Sequence, residues 1–265
     1  MNTQITTELI LNIVHFLVVI AIIAITAKKT GRGRGLFAAL FLFGMVAFAL
    51  EDVYWIAYDA IRPESRMPFA ANEIACSAAL LLLGAAMETK AGKDLPHKAA
   101  DLVISVFFIA VNVVLWIIWS GEWFEDLVFA APYVYYMYAL LRRIRSLGGL
   151  KKWAALALPT FFTCLYAAWF ISLRTGEHVT GLINNINYLS SEALILILFV
   201  SAICLYRKED GKEKAAALSF AATFWTILAA YMSDGVFYSI ALFANILSLL
   251  LLQAALLTEA QNDLR

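Results

Sequence analysis

Nine apolar runs succeed one another along the chain, at 8–27, 36–61, 68–88, 102–120, 123–141, 153–173, 181–206, 215–233 and 235–257, with short polar connections between them. Each is long enough to cross the roughly 30 Å of bilayer hydrocarbon, which takes about 20 helical residues. Stretches such as Leu194 to Leu198 and Leu249 to Leu252 lack the two-residue alternation of a barrel strand. They equally lack the polar outer stripe of a helix in a soluble core. The pattern therefore predicts an all-α polytopic membrane bundle of about nine transmembrane helices. Ser233-Asp234-Gly235 divides the last two runs, and the count falls to eight if that turn is a kink. After the first helix, the remainder pairs into four helical hairpins. A weak internal repeat is visible between the second and sixth runs, which share the order tryptophan (Trp55, Trp169), then Asn72-Glu73 or Asn187 with Glu192.

Composition agrees: 63% of the 265 residues are hydrophobic and 15% charged, against about 25% charged in soluble domains. The longest inner connection, Thr89 to Asp101, is too short for an independent core, so residues 1–265 read as one transmembrane domain. The first run has no basic leader or small-residue cleavage site, and is expected to remain as a span. Placing the N-terminus outside puts all the lysines and arginines except Arg62, Arg66 and Arg174 on the inner side, as the positive-inside rule requires. The expected location is a plasma or bacterial inner membrane, with the C-terminus cytoplasmic.

A net charge of zero gives no field that would draw nucleic acid. Cys76, Cys164 and Cys204 have no C-x-x-C spacing, which argues against disulfide and zinc sites. His15, His97 and His178 are scattered, and H-E-x-x-H, G-x-S-x-G and P-loop motifs are absent. The glycines and arginines of 31–35 form a basic inner turn. No catalytic residue, metal or cofactor is expected.

Ionisable side chains inside a bilayer are costly and mark functional positions. Here they concentrate in the outer half of the membrane: Glu51 and Asp52 in the second span, Asn72 and Glu73 near the outer end of the third, Asn187 and Glu192 in the seventh. The gradient predicts a polar, partly acidic cavity opening outward, walled by aromatic residues such as Trp55 and floored by apolar packing. Glu51, Asp52, Trp55, Asn72, Glu73, Asn187 and Glu192 are its expected ligand-binding residues. Carboxylates set among aromatic faces suit a small cationic or amine ligand. Glu73 has a second reading, an ion pair with Arg62 or Arg66. Asp59, Glu125, Asp126 and Asp234 read as rim residues, and His15 as a hydrogen-bonding packer.

Two uses of such a cavity follow. The first is sensing, in which a ligand from outside shifts helix packing. The tail from Thr258 to Arg265 has good helix formers and would lead to a cytoplasmic output domain or partner. The second is transport of a small solute, although no mid-span helix break or inward polar path is visible. A non-catalytic subunit of a membrane complex is the third class. The bilayer itself is the one partner common to all three.

Overall fold

The computed structural model describes residues 3–29, 35–61, 71–91, 96–120, 123–147, 181–208, 211–231 and 235–262. These form eight helices and no strand: α1 (Thr3–Lys29), α2 (Leu36–Ile61), α3 (Ala71–Ala91), α4 (Ala99–Ser120), α5 (Trp123–Ser146), α6 (Gly181–Tyr206), α7 (Lys212–Tyr231) and α8 (Gly235–Asn262). The run at 153–173 and Asp234 lie outside the described residues. Four helices contain segments long and apolar enough to cross a membrane, at Thr7–Lys28, Leu36–Ile61, Ala71–Lys90 and Val236–Leu256.

The last two runs are separate helices. Asn245 Nδ2 donates to Thr226 Oγ1 at 2.7 Å, a contact that requires the chain to reverse between them. At the start of α7, Gly211 N–H donates to Lys208 O at 3.1 Å. A Cβ on Gly211 would lie 2.1 Å from Leu205 O, so only glycine lets the chain pass so close to the end of α6. Helix α5 continues beyond the expected Leu141 because its basic last turn is held. Arg142 pairs with Glu88, Arg143 with Glu213 at 3.3 Å, and Arg145 with Asp101 at 2.6 Å. Arg143 also donates to Lys90 O and Arg145 to Pro96 O. One end of α3, α4, α5 and α7 is thereby cross-linked by charge.

Six helices pack in a closed ring, in the order α1, α2, α3, α5, α7, α8 and back to α1; α4 lies against α5, and α6 against α7 and α8. Aromatic side chains fill the middle. Tyr136 stacks on Phe224 with centroids 4.8 Å apart, its hydroxyl donating to Phe220 O, and Phe41 meets Phe220 edge-on. The polarity of the bundle is inverted relative to a soluble protein. Leu17, Phe43, Leu50, Phe107 and Phe243 are exposed while Asn12, His15, Asp52, Asn112 and Asn245 are buried. Outward apolar faces around an inner polar seam are what a lipid solvent selects.

Candidate functional site

Helix α1 buries a single stripe, Asn12, His15, Val19, Ile22 and Thr26. Their alternating three- and four-residue spacing keeps them on one face, and that face meets α2 and α8. Three of the five are polar, so a hydrogen-bonded seam replaces the usual apolar one.

At its centre, His15 Nδ1 lies 2.7 and 2.8 Å from the two carboxylate oxygens of Asp52, and Nε2 lies 2.9 Å from Asn245 Oδ1. The amide orientation of Asn245 is fixed by its other neighbours. Its Nδ2 faces the Thr223 carbonyl at 3.3 Å and Thr226 Oγ1 at 2.7 Å. Thr226 already donates its own hydroxyl proton to Thr223 O, so both of these groups accept from Asn245. Asn245 Oδ1 must then accept, and His15 Nε2 must carry a proton. The Nδ1–carboxylate contact therefore shares one further proton, on the imidazole or on the acid. In either form the couple is net neutral, which lowers the cost of burying it.

The seam extends both ways. Toward the start of α1, Asn12 Nδ2 donates to Asp59 Oδ2 at 2.8 Å, and Tyr238 donates to Asn12 Oδ1 at 3.4 Å. Toward the other end, Thr26 donates to Gln253 Oε1 at 3.2 Å.

Glu51 turns elsewhere. Its carboxylate lies within electrostatic reach of the Cys76 thiol on α3, and Cys76 Sγ lies 3.7 Å from the Tyr133 hydroxyl on α5. Tyr133 in turn packs against Trp116, with ring centroids 5.0 Å apart. Glu73 is within electrostatic range of the thiol. Asn72, one turn from Cys76 on the same buried face of α3, is 4% exposed, and its Oδ1 has no partner among the described residues. Trp55 forms an edge-to-face cluster with Tyr54 and Tyr58 on α2.

The expected site residues thus fall into separate places. Glu51, Asn72 and Glu73 gather around Cys76, between α2, α3 and α5. Asp52 belongs to the histidine seam. Asn187 and Glu192 are on α6, their side chains outside the described residues, and α6 packs against α7 and α8 rather than α2 or α3. Asp59, Glu125 and Asp126, expected at a wet rim, are buried at 6%, 6% and 4% exposure. Asn12, Asn245, Thr226 and Gln253 also carry the seam, and hydropathy alone does not single them out. The spacing of Asn12, His15 and Thr26 was the available signal.

Chemically, the seam holds a proton but presents no nucleophile. His15 Nε2 donates to an amide oxygen and so cannot act as the base of a triad. No cluster of three or more metal-ligating side chains exists among the described residues. No protein-family model, curated protein or solved structure matches this chain.

Proposed function

We propose that this chain is a multi-pass signal-input module with nine spans and its N-terminus outside. It takes a small cationic ligand at the Glu51–Asn72–Glu73–Cys76 cluster and passes the change inward through α8. The observation that carries this reading is the division of labour on α2. Glu51 faces the cluster, and its neighbour Asp52 grips His15, which is bound to Asn245 on α8. A ligand that draws on Glu51 biases the same helix that holds the seam, and differential contact of this kind is what a population shift requires. The buried, unanswered Asn72 oxygen supports a hydrogen-bond donor as the ligand. Helix α8 runs unbroken from Gly235 to Asn262, about 42 Å at 1.5 Å per residue. That exceeds the hydrocarbon thickness of about 30 Å, so motion at Asn245 reaches the inner face.

A thermal-shift screen of the purified protein against amines and divalent cations tests the reading. A ligand at 100 times its Kd adds about 2.7 kcal/mol of apparent stability, and Glu51→Gln abolishes the shift. No hit across such a library removes the ligand-binding premise.

A proton-coupled carrier is the second reading, favoured by the shared proton of His15 and Asp52 at mid-span. Solute uptake into proteoliposomes driven by a pH gradient, and lost in Asp52→Asn, would select it.

A further inference from the structure

Helices α4 and α5 leave between them a groove of about 870 Å³ whose polarity is graded. Toward one end stand His97, Lys98 and Tyr138, with Tyr135 one turn further along α5; the rest of its wall is apolar, with Val106, Ala110 and Ala131 along its length. The polar end is built. His97 Nδ1 hydrogen-bonds the Tyr138 hydroxyl and the two rings stack, while the Arg142 guanidinium sits 5.9 Å from the Tyr138 ring. The three arginines at this end are paired with Glu88, Glu213 and Asp101. Lys98 is exposed and makes no ion pair among the described residues, so it remains as positive charge at the mouth of an apolar channel.

We infer that this groove binds an anionic phospholipid from the leaflet at the Lys98 end. The phosphate lies at Lys98 and His97, and one acyl chain lies along α4 and α5. The groove matches a lipid in sign of charge and in order of polarity. From Lys98 to Val114 it runs about 24 Å at 1.5 Å per residue. One leaflet's share of the hydrocarbon, about 15 Å, takes a chain past Val106 to within about 3 Å of the level of Ala110. Small side chains at Ala110 and Ala131 leave the space, and both are exposed, so filling them does not disturb the core. The inference is independent of the ligand site on α2 and of which face of the membrane is inner.

The test is native mass spectrometry of the full chain in detergent, titrated with phosphatidylglycerol or with phosphatidylcholine of the same acyl chains. Phosphatidylglycerol is expected to bind more tightly. Lys98→Gln is expected to weaken it about fivefold, the worth of one basic side chain at an anionic surface, with phosphatidylcholine unchanged. Ala131→Trp and, separately, Ala110→Trp are expected to displace both lipids without lowering the melting temperature. Equal binding of the two lipids by the wild type overturns the inference, as does a phosphatidylglycerol preference that survives Lys98→Gln together with His97→Gln. Binding of neither lipid also overturns it.

Discussion

Glu51 and Asp52 are consecutive residues on α2, and their carboxylates serve opposite interfaces. Asp52 meets His15 on α1 at 2.7 Å, whereas Glu51 lies within electrostatic reach of the Cys76 thiol on α3. Consecutive helical side chains point about 100° apart, enough here to divide them between two packing seams. Helix α2 therefore sits between two buried polar groups. A rotation that improves one contact strains the other.

The proton shared by His15 and Asp52 predicts an ordering of variants. Asp52→Asn keeps a donor for Nδ1 of a neutral imidazole, since Asn245 fixes the ring proton on Nε2. Its cost is expected to be about 1 kcal/mol, in the range of hydrogen bonds within membranes. Asp52→Ala and His15→Ala each orphan a buried partner and are expected to cost about 3 kcal/mol. Equilibrium unfolding in mixed micelles measures all three. If Asp52→Asn were as damaging as Asp52→Ala, the couple would be an obligate ion pair.

The charged end of the bundle predicts a contrast between neighbours. Arg142 and Glu88 have side chains 3% and 21% exposed, but Glu213, the partner of Arg143, is 56% exposed. Arg142→Ala strands a carboxylate in a largely dry site, and a loss of about 3 kcal/mol is expected. Loss of the solvated Arg143–Glu213 pair through Glu213→Ala is expected to cost at most about 1 kcal/mol. Similar values for the two would mean that water reaches Glu88 as freely as Glu213.

Much of the helix map was legible in the sequence, because run length and hydropathy answer directly to bilayer thickness. Seven of the eight described helices begin within three residues of the corresponding apolar run, and α1 begins five residues ahead of its run. Its first turns carry the polar Thr3, Gln4, Thr6 and Thr7, which hydropathy does not count as membrane. Helix ends were less legible where charge extends a helix, as Arg142, Arg143 and Arg145 do for α5. The candidate site was legible in its carboxylates and in Asn72 beside Glu73, but not in the amides of the seam. Asn12 and Asn245 are as buried as His15, yet an uncharged amide in an apolar run hardly alters hydropathy. Which carboxylate faces which helix depends on the ring order of the bundle, and that order is written in non-local packing. Gly44 and Gly84 likewise look like filler until their neighbours are known.

Those two glycines predict a difference of degree. A Cβ on Gly44 would come within 2.9 Å of Leu83, and one on Gly84 within 2.9 Å of the Tyr135 ring. Leu83 is fully buried, and Tyr135 only half-buried. Gly44→Ala must therefore push a side chain that has nowhere to go, and a loss of about 2 kcal/mol is expected from overpacking. Tyr135 can swing outward, so Gly84→Ala should lose less. Melting temperatures of the two variants in one detergent rank them, and the reverse order would mean that α3 approaches α5 more tightly than α2.

Orientation decides whether signalling through α8 runs inward, and the two ends of the bundle make it measurable. Ser146 and Lys208 lie exposed at the basic end; Ile61 and Trp123 lie exposed at the opposite ends of α2 and α5. In the proposed orientation, which follows the positive-inside rule, the basic end is expected to face the cytoplasm. In a background with Cys76, Cys164 and Cys204 replaced by alanine, single cysteines at these four positions can be probed with a membrane-impermeant maleimide. Ile61→Cys and Trp123→Cys are expected to label in intact cells. Ser146→Cys and Lys208→Cys should label only after the membrane is permeabilised. Helix α8 leaves the bundle at the same end as Ser146, because α7 and α8 form a hairpin whose turn lies at the other end. Labelling of Ser146→Cys in intact cells would put the end of α8 outside and would remove inward signalling through that helix, whatever ligand binds at Glu51.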